Sequence, residues 1–211
     1  MLDGPRPGSL GLIFRELKLP RSVSRQTPIM EKIMDTLEKL FEETLRDIYY
    51  AEKKILKALP KMVKKASSPN LAQAFEMHIG ETETQVERLE EVFGLIGKAP
   101  RGKTCPAIDG IIEEGDEIMK EAEDDTVRDA GMLAAAQAVE HYEITRYGTL
   151  KSWANKLGMT QAAELLDATL QEEKSTDVKL SELAESEINV GAEQGDDEEE
   201  KKPMRKAAGR R

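Results

Sequence analysis

The stretch "AVEHYEITRYGTL", residues 138–150, sets Glu140 and Glu143 three apart in a face otherwise suited to a core. Alternating steps of three and four give Leu133, Ala136, Glu140, Glu143, Tyr147, Leu150, Ala154 and Leu157, and residues so spaced line one face of an α-helix. This face is apolar at both ends and acidic in the middle. A helix that only packs against neighbours has no reason to interrupt its seam with two carboxylates.

The same test, carried outward, finds three more helices of this design. In the first, the series is Phe41, Leu45, Ile48, Glu52, Ile55, Leu59 and Met62, with one acid. In the second it is Leu71, Phe75, His78, Thr82, Gln85, Leu89, Val92 and Ile96, with Glu81 flanking the seam one turn after His78. The fourth gives Leu166, Leu170, Glu173, Asp177, Leu180 and Ala184. The acids all lie within about two turns of their helix midpoints. In antiparallel neighbours of similar length the midpoints meet, so six carboxylates converge on one level.

A buried ion costs several kcal/mol even after relaxation, and the whole stability of a domain is roughly 5–15 kcal/mol. Six such acids need neutralising. Two divalent or trivalent cations would do so, and carboxylate with imidazole suits iron or manganese. Taken singly, each residue has a plainer reading: Glu52 as a rim acid or the partner of a lysine, His78 as a satisfied core histidine, and Glu140 with Glu143 or Glu173 with Asp177 as a solvated face. Their coincidence on four helices at one height favours a two-metal site. His141 lies about 100° round the helix from Glu140, which suits a supporting role rather than ligation. Gln85 and Tyr147 face the seam, and Tyr147 is placed to hydrogen-bond a ligand carboxylate.

Between these helices the punctuation is informative. "SSPN" at 67–70 supplies an N-cap and first-turn proline, Ser68 and Pro69, for a helix ended by Gly97 and Pro100. Residues 98–125 form a long connection holding a short helix near "PAIDGIIEEGDEIMKEA". The third long helix stops at Gly158, and the fourth restarts with Thr160 as N-cap. Two hairpins joined by one long link give an all-α, four-helix bundle with a single long crossover, as in ferritin-like folds.

The bundle is expected over 31–189. Residues 1–30, broken by Pro and Gly, read as a flexible extension, and 190–211, an acidic block followed by "KKPMRKAAGRR", as a disordered charged tail. Of the 211 residues 34% are charged, for a net charge of −10, and the bundle segment alone carries −13. That field disfavours nucleic acid, except through the basic tail, and anionic membrane. No apolar run approaches a membrane span, and the N-terminus lacks the pattern of a secretory signal, so a cytoplasmic protein is expected. The single cysteine, Cys105, excludes a four-cysteine metal site within the chain.

The segments "LRDIYYAEKKILKALPKM", "HIGETETQVERLEEVF", "AAAQAVEHYEITRYGTLKSWANKLG" and "LLDATLQEEKSTDVKLSEL", with the linker "CPAIDGIIEEG", resemble the YciF-type ferritin-like family of bacterial stress-associated proteins over about 33–188. The resemblance implies a rubrerythrin-like bundle, usually dimeric, with a two-metal carboxylate centre. In its pattern Glu52 and Glu140 match the single glutamates of two helices, Glu143 the second carboxylate of the third, and Glu81 and Glu173 the bridging acids. The chain departs from the pattern at the histidine places: Thr84 and Gln85 follow Glu81, and Asp177 follows Glu173. His78 stands in on the first side.

Three functions compete at this stage. A di-iron or di-manganese oxidoreductase, peroxidase- or catalase-like, would handle peroxide or dioxygen under stress, iron being favoured and manganese the alternative. With one cysteine in the chain, an iron centre needs a separate electron donor. The second reading is iron sequestration without turnover. The third is a non-catalytic interaction module whose polar core fixes helix register.

Overall fold

Helix boundaries fall where capping chemistry puts them. The computed structural model describes residues 34–193, and among these the chain forms α1 (Leu37–Lys65), α2 (Pro69–Leu95), α3 (Pro106–Glu121), α4 (Asp125–Lys156) and α5 (Thr160–Leu183), with no strand. The Thr36 hydroxyl accepts from the Lys39 amide, the Ser68 hydroxyl from Leu71, and the Asp124 carboxylate from Thr126 and Val127. Each satisfies amides that the first turn leaves without partners. Gly97 and Gly158 adopt φ +68° and +72°, which lets Lys98 N–H close on Phe93 O and Met159 N–H on Ala154 O, both at 2.9 Å. This second closure corrects one expectation. Met159, not Thr160, precedes α5, because its amide ends α4 while its carbonyl accepts from Ala163 at 3.0 Å to begin the next helix.

The helices form a ring in which α1 packs on α2 and α4, and α5 on the same two. Every adjacent pair is antiparallel. The single long crossover, 96–124, carries α3 up alongside α1 and over α4. It is fastened to α1 by Lys103 N–H on Arg46 O (3.0 Å), by Tyr50 and Lys54 on Asp109, and by Lys61 on Asp116. At the far end, buried Asp129 of α4 accepts from the Ser67 and Ser68 amides and the Ser67 hydroxyl at 2.6–3.1 Å, which pins the α1–α2 turn to the start of α4. The long crossover is therefore what allows four helices to present midpoints to one another with all neighbours antiparallel.

The inward positions are those of the sequence series, with one substitution. In α5, Thr176 is buried beside Glu173 and Leu180, and Asp177 is only half-buried. Beyond α5 the chain widens into one π turn, Ala184–Ile188, and continues helical to 193, so the last helix passes residue 189. The extension expected at 1–30, and the tail beyond 193, lie outside the described residues. Among the described residues no helix is long and apolar enough to cross a membrane.

Candidate metal centre

At mid-height the apolar core gives way to acids. Glu52 of α1, Glu140 and Glu143 of α4, and Glu173 of α5 are each at most 1% exposed, and His78 of α2 is 5% exposed. One ligand atom from each of His78, Glu140, Glu143 and Glu173 lies within 4.8 Å of all the others. Glu52 joins the cluster through Glu143, and its Oε1 accepts a hydrogen bond from the buried Tyr147 hydroxyl. With the acids ionised, eight buried atoms have no hydrogen-bond partner: both oxygens of Glu143 and of Glu173, one each of Glu52, Glu140 and Gln85, and His78 Nε2. His78 Nε2 approaches Glu140 Oε1 to 3.3 Å, but without hydrogen-bond alignment. Folded proteins rarely leave such atoms unsatisfied in one place.

The protons show the strain of this arrangement. Burial raises Glu52 from its ordinary 4.5 to about 7, against the lowering effect of the Tyr147 bond. Glu143 and Glu173 are pushed well above the carboxylate range, first by burial and then by the charges of Glu52 and their other acidic neighbours. Glu140 is raised by burial, partly opposed by His78. For His78 burial acts downward, but Glu81, Glu140 and Glu52 outweigh it and its pKa is raised. Glu52 faces Glu143, and Glu140 faces Glu173, closely enough to share a proton. A cation between them would displace those protons and satisfy the same oxygens.

Two of the seven acids and histidines read from the sequence sit at the rim. The Glu81 side chain is 31% exposed, with Oε2 3.5 Å from His78 Nδ1 and 3.4 Å from the donating Thr176 hydroxyl. With the Nδ1 proton directed at Glu81, His78 turns the lone pair of Nε2 toward Glu140, the arrangement by which an outer carboxylate orients a ligand histidine. Asp177 is 3.3 Å from His141 Nε2 and accepts from Gln137. His141 itself is 70% exposed and touches the cluster only through Asp177. Gln85 is fully buried and donates to Glu172, whose carboxylate is held at 2.5 and 2.8 Å by the Arg88 guanidinium.

Sequence reasoning missed Thr176, Arg88 and Glu172. Thr176 follows Glu173 by three, a permitted inward step, but Asp177 by its charge claimed the place. The Arg88–Glu172 pair joins α2 to α5 across 84 residues, and no local pattern announces it. Cys105 is buried against the Tyr142 hydroxyl at 3.2 Å, and that hydroxyl donates to Asp47. The thiol thus helps seat the crossover.

The residues fit a metal centre by chemistry as well as by position. Four buried carboxylates balance two divalent ions in charge, and a neutral imidazole with carboxylates is a donor set suited to iron or manganese. The fold is that of the chain's relatives. Protein YciF of Escherichia coli (strain K12) is 46% identical over 162 residues, covering 76% of this chain and 97% of that protein. The crystal structure of this E. coli stress protein superimposes with TM-score 0.71 at 44% identity, over 74% of this chain and 99% of that one. YcfI from Rhodopseudomonas palustris gives TM-score 0.70 at 50% identity, over 72% and 96%. The family model described as "Domain of unknown function (DUF892)" matches residues 36–193, and the chain belongs to that family of YciF-like helical-bundle proteins.

Proposed function

We propose that this protein holds two metal ions, iron by preference and manganese as the alternative, and reacts them with peroxide or dioxygen in a stress response. The observation that supports the reading is the set of seven buried atoms of Glu52, His78, Glu140, Glu143 and Glu173, from four helices, that have no hydrogen-bond partner when the acids are ionised. The ligands would be Glu52, His78, Glu140, Glu143 and Glu173. Glu81 and Asp177 stand at the rim with the two further negative charges that two trivalent ions require. Bound metal would supply a redox couple and open positions for an oxidant.

The chain's own residues prepare that chemistry. Tyr147 holds one oxygen of Glu52, which fixes the other toward the cluster. Glu81 orients His78. Gln85 donates to Glu172 beside Arg88, which ties α2 to α5 next to Glu173. The apolar residues above and below keep bulk water out, so each charge acts at low dielectric. With Cys105 seated under the crossover, electrons come from a separate donor; the working form is a cytoplasmic homodimer.

Anaerobic loading with ferrous ion, followed by mixing with peroxide or dioxygen and recording the visible spectrum, tests the proposal. Wild type develops ferric absorption at a rate set by the protein, and Glu173→Ala, folded by circular dichroism, does not. Equal rates in wild type, Glu173→Ala and buffer would refute oxidant handling.

A further inference from the structure

A cavity of about 50 Å³ opens between α3 and the bundle and ends at His78 and Glu140. It exists because α1, α2 and α4 meet α3 there with small side chains, Ala58, Ala74, Ala135 and Ala136. Gly115 seats α3 low on α4; a Cβ there would come within 3.1 Å of the Ala135 Cβ. Polar groups occur only at the ends. His78, Glu140 and Thr176 stand at the inner one, and Asp116, held by Lys61 at 2.5 Å, at the outer one. The walls between are apolar, with Met132, Ala136 and Val139 of α4 among them.

Size and polarity together select the occupant. A void needs roughly 10–15 Å³ by this measure for one water, and one of about 150 Å³ takes benzene, so this cavity suits a molecule of two or three heavy atoms. Its walls offer no hydrogen bonds along their length, and peroxide or water would lose its own on entering. We propose that the cavity binds dioxygen, as a small apolar diatomic, and delivers it to the His78–Glu140 edge of the centre. The inference rests on the metal-centre reading and narrows its oxidant.

Xenon, apolar and of similar size, is the probe. Crystals of the full chain pressurised with xenon are expected to show it beside Met132 and Val139. Ala135→Leu and Ala74→Leu, which fill the cavity from different helices at half-buried positions, should lose that peak. In ferrous-loaded protein the same variants should slow oxidation by dioxygen several-fold and leave metal content and oxidation by peroxide unchanged. No xenon in wild type, or xenon retained in both filled variants, would overturn the inference. A protein that binds metal but no xenon refutes this inference alone. One that binds xenon but no metal refutes the proposed function and, with it, delivery to a centre.

Discussion

Glu143→Gln separates a metal centre from a merely polar core. Glu143 is 1% exposed, neither oxygen has a hydrogen-bond partner, and burial with the charges of Glu52 and Glu173 holds its pKa well above the usual carboxylate range. A pKa raised on folding means that the native state binds more protons than the unfolded one. Stability is then full below the unfolded value and falls as pH rises through the folded value. For Glu52 that window runs from 4.5 to about 7, a cost of about 3 kcal/mol at ~1.4 kcal/mol per pH unit. Glutamine keeps the shape of Glu143 and removes its ionisation, so the cost of holding that buried acid disappears. Replacing buried charged groups by neutral ones of similar volume gains up to about 1–4 kcal/mol, and in a domain of this size each kcal/mol moves Tm by about 2–4 °C. A gain near 2 kcal/mol makes the metal-free variant melt about 4–8 °C above wild type at pH 8, with little difference at pH 4.5.

Metal reverses the order. An ion at a hundred times its Kd adds about 2.7 kcal/mol to a site that binds it only when folded, and the variant forfeits most of that. The assay is thermal melting by circular dichroism at pH 4.5 and pH 8, with chelator and with manganous ion, which is stable in air. A metal-free variant less stable than wild type at pH 8 would refute the electrostatic reasoning. Equal manganese-induced shifts in the two proteins would refute the assignment of Glu143 to a site.

Tyr147→Phe removes the donor to Glu52, and metal affinity should fall about 10–100-fold with the fold intact; calorimetric titration with manganous ion measures it, and unchanged affinity would contradict the role. Asp129→Ala leaves the Ser67 and Ser68 amides without their acceptor, so stability should drop by about 3 kcal/mol while metal stoichiometry stays as in wild type. Chemical denaturation and elemental analysis read the two halves of that expectation. Gly131→Ala drives a Cβ into the Ile118 Cγ2, a branched methyl close to the backbone, and should cost about 1–3 kcal/mol by denaturation.

The bundle and its polar level were legible because both depend on helical period. Steps of three and four recover Phe41 to Leu59 and Leu133 to Ala154 as inward faces, and the glycines at 97 and 158 stand where the chain must turn left-handed. What the period cannot give is the exact rotation of each helix. From His78, Glu81 and Thr82 diverge to opposite sides by about 60° and 40°, at 3.6 residues per turn. Packing buries Thr82 fully, its hydroxyl on the His78 carbonyl, and leaves Glu81 at the rim. The same latitude exchanges Asp177 for Thr176 in α5. Long-range polar contacts were not legible at all: nothing near Asp129 says that it caps a turn 62 residues away. The cavity escaped for a related reason, since Ala58, Ala74 and Ala135 read as ordinary helix formers until α3 is laid across them.

Counting bound metal decides whether the four-helix cluster is a metal centre. Wild-type protein and Glu140→Ala are loaded anaerobically with ferrous or manganous ion, desalted and measured for metal per chain by elemental analysis. About two ions per wild-type chain are expected, as two-metal carboxylate bundles hold, with a clear loss in the variant. A wild-type protein that is fully folded and free of metal after loading would contradict it.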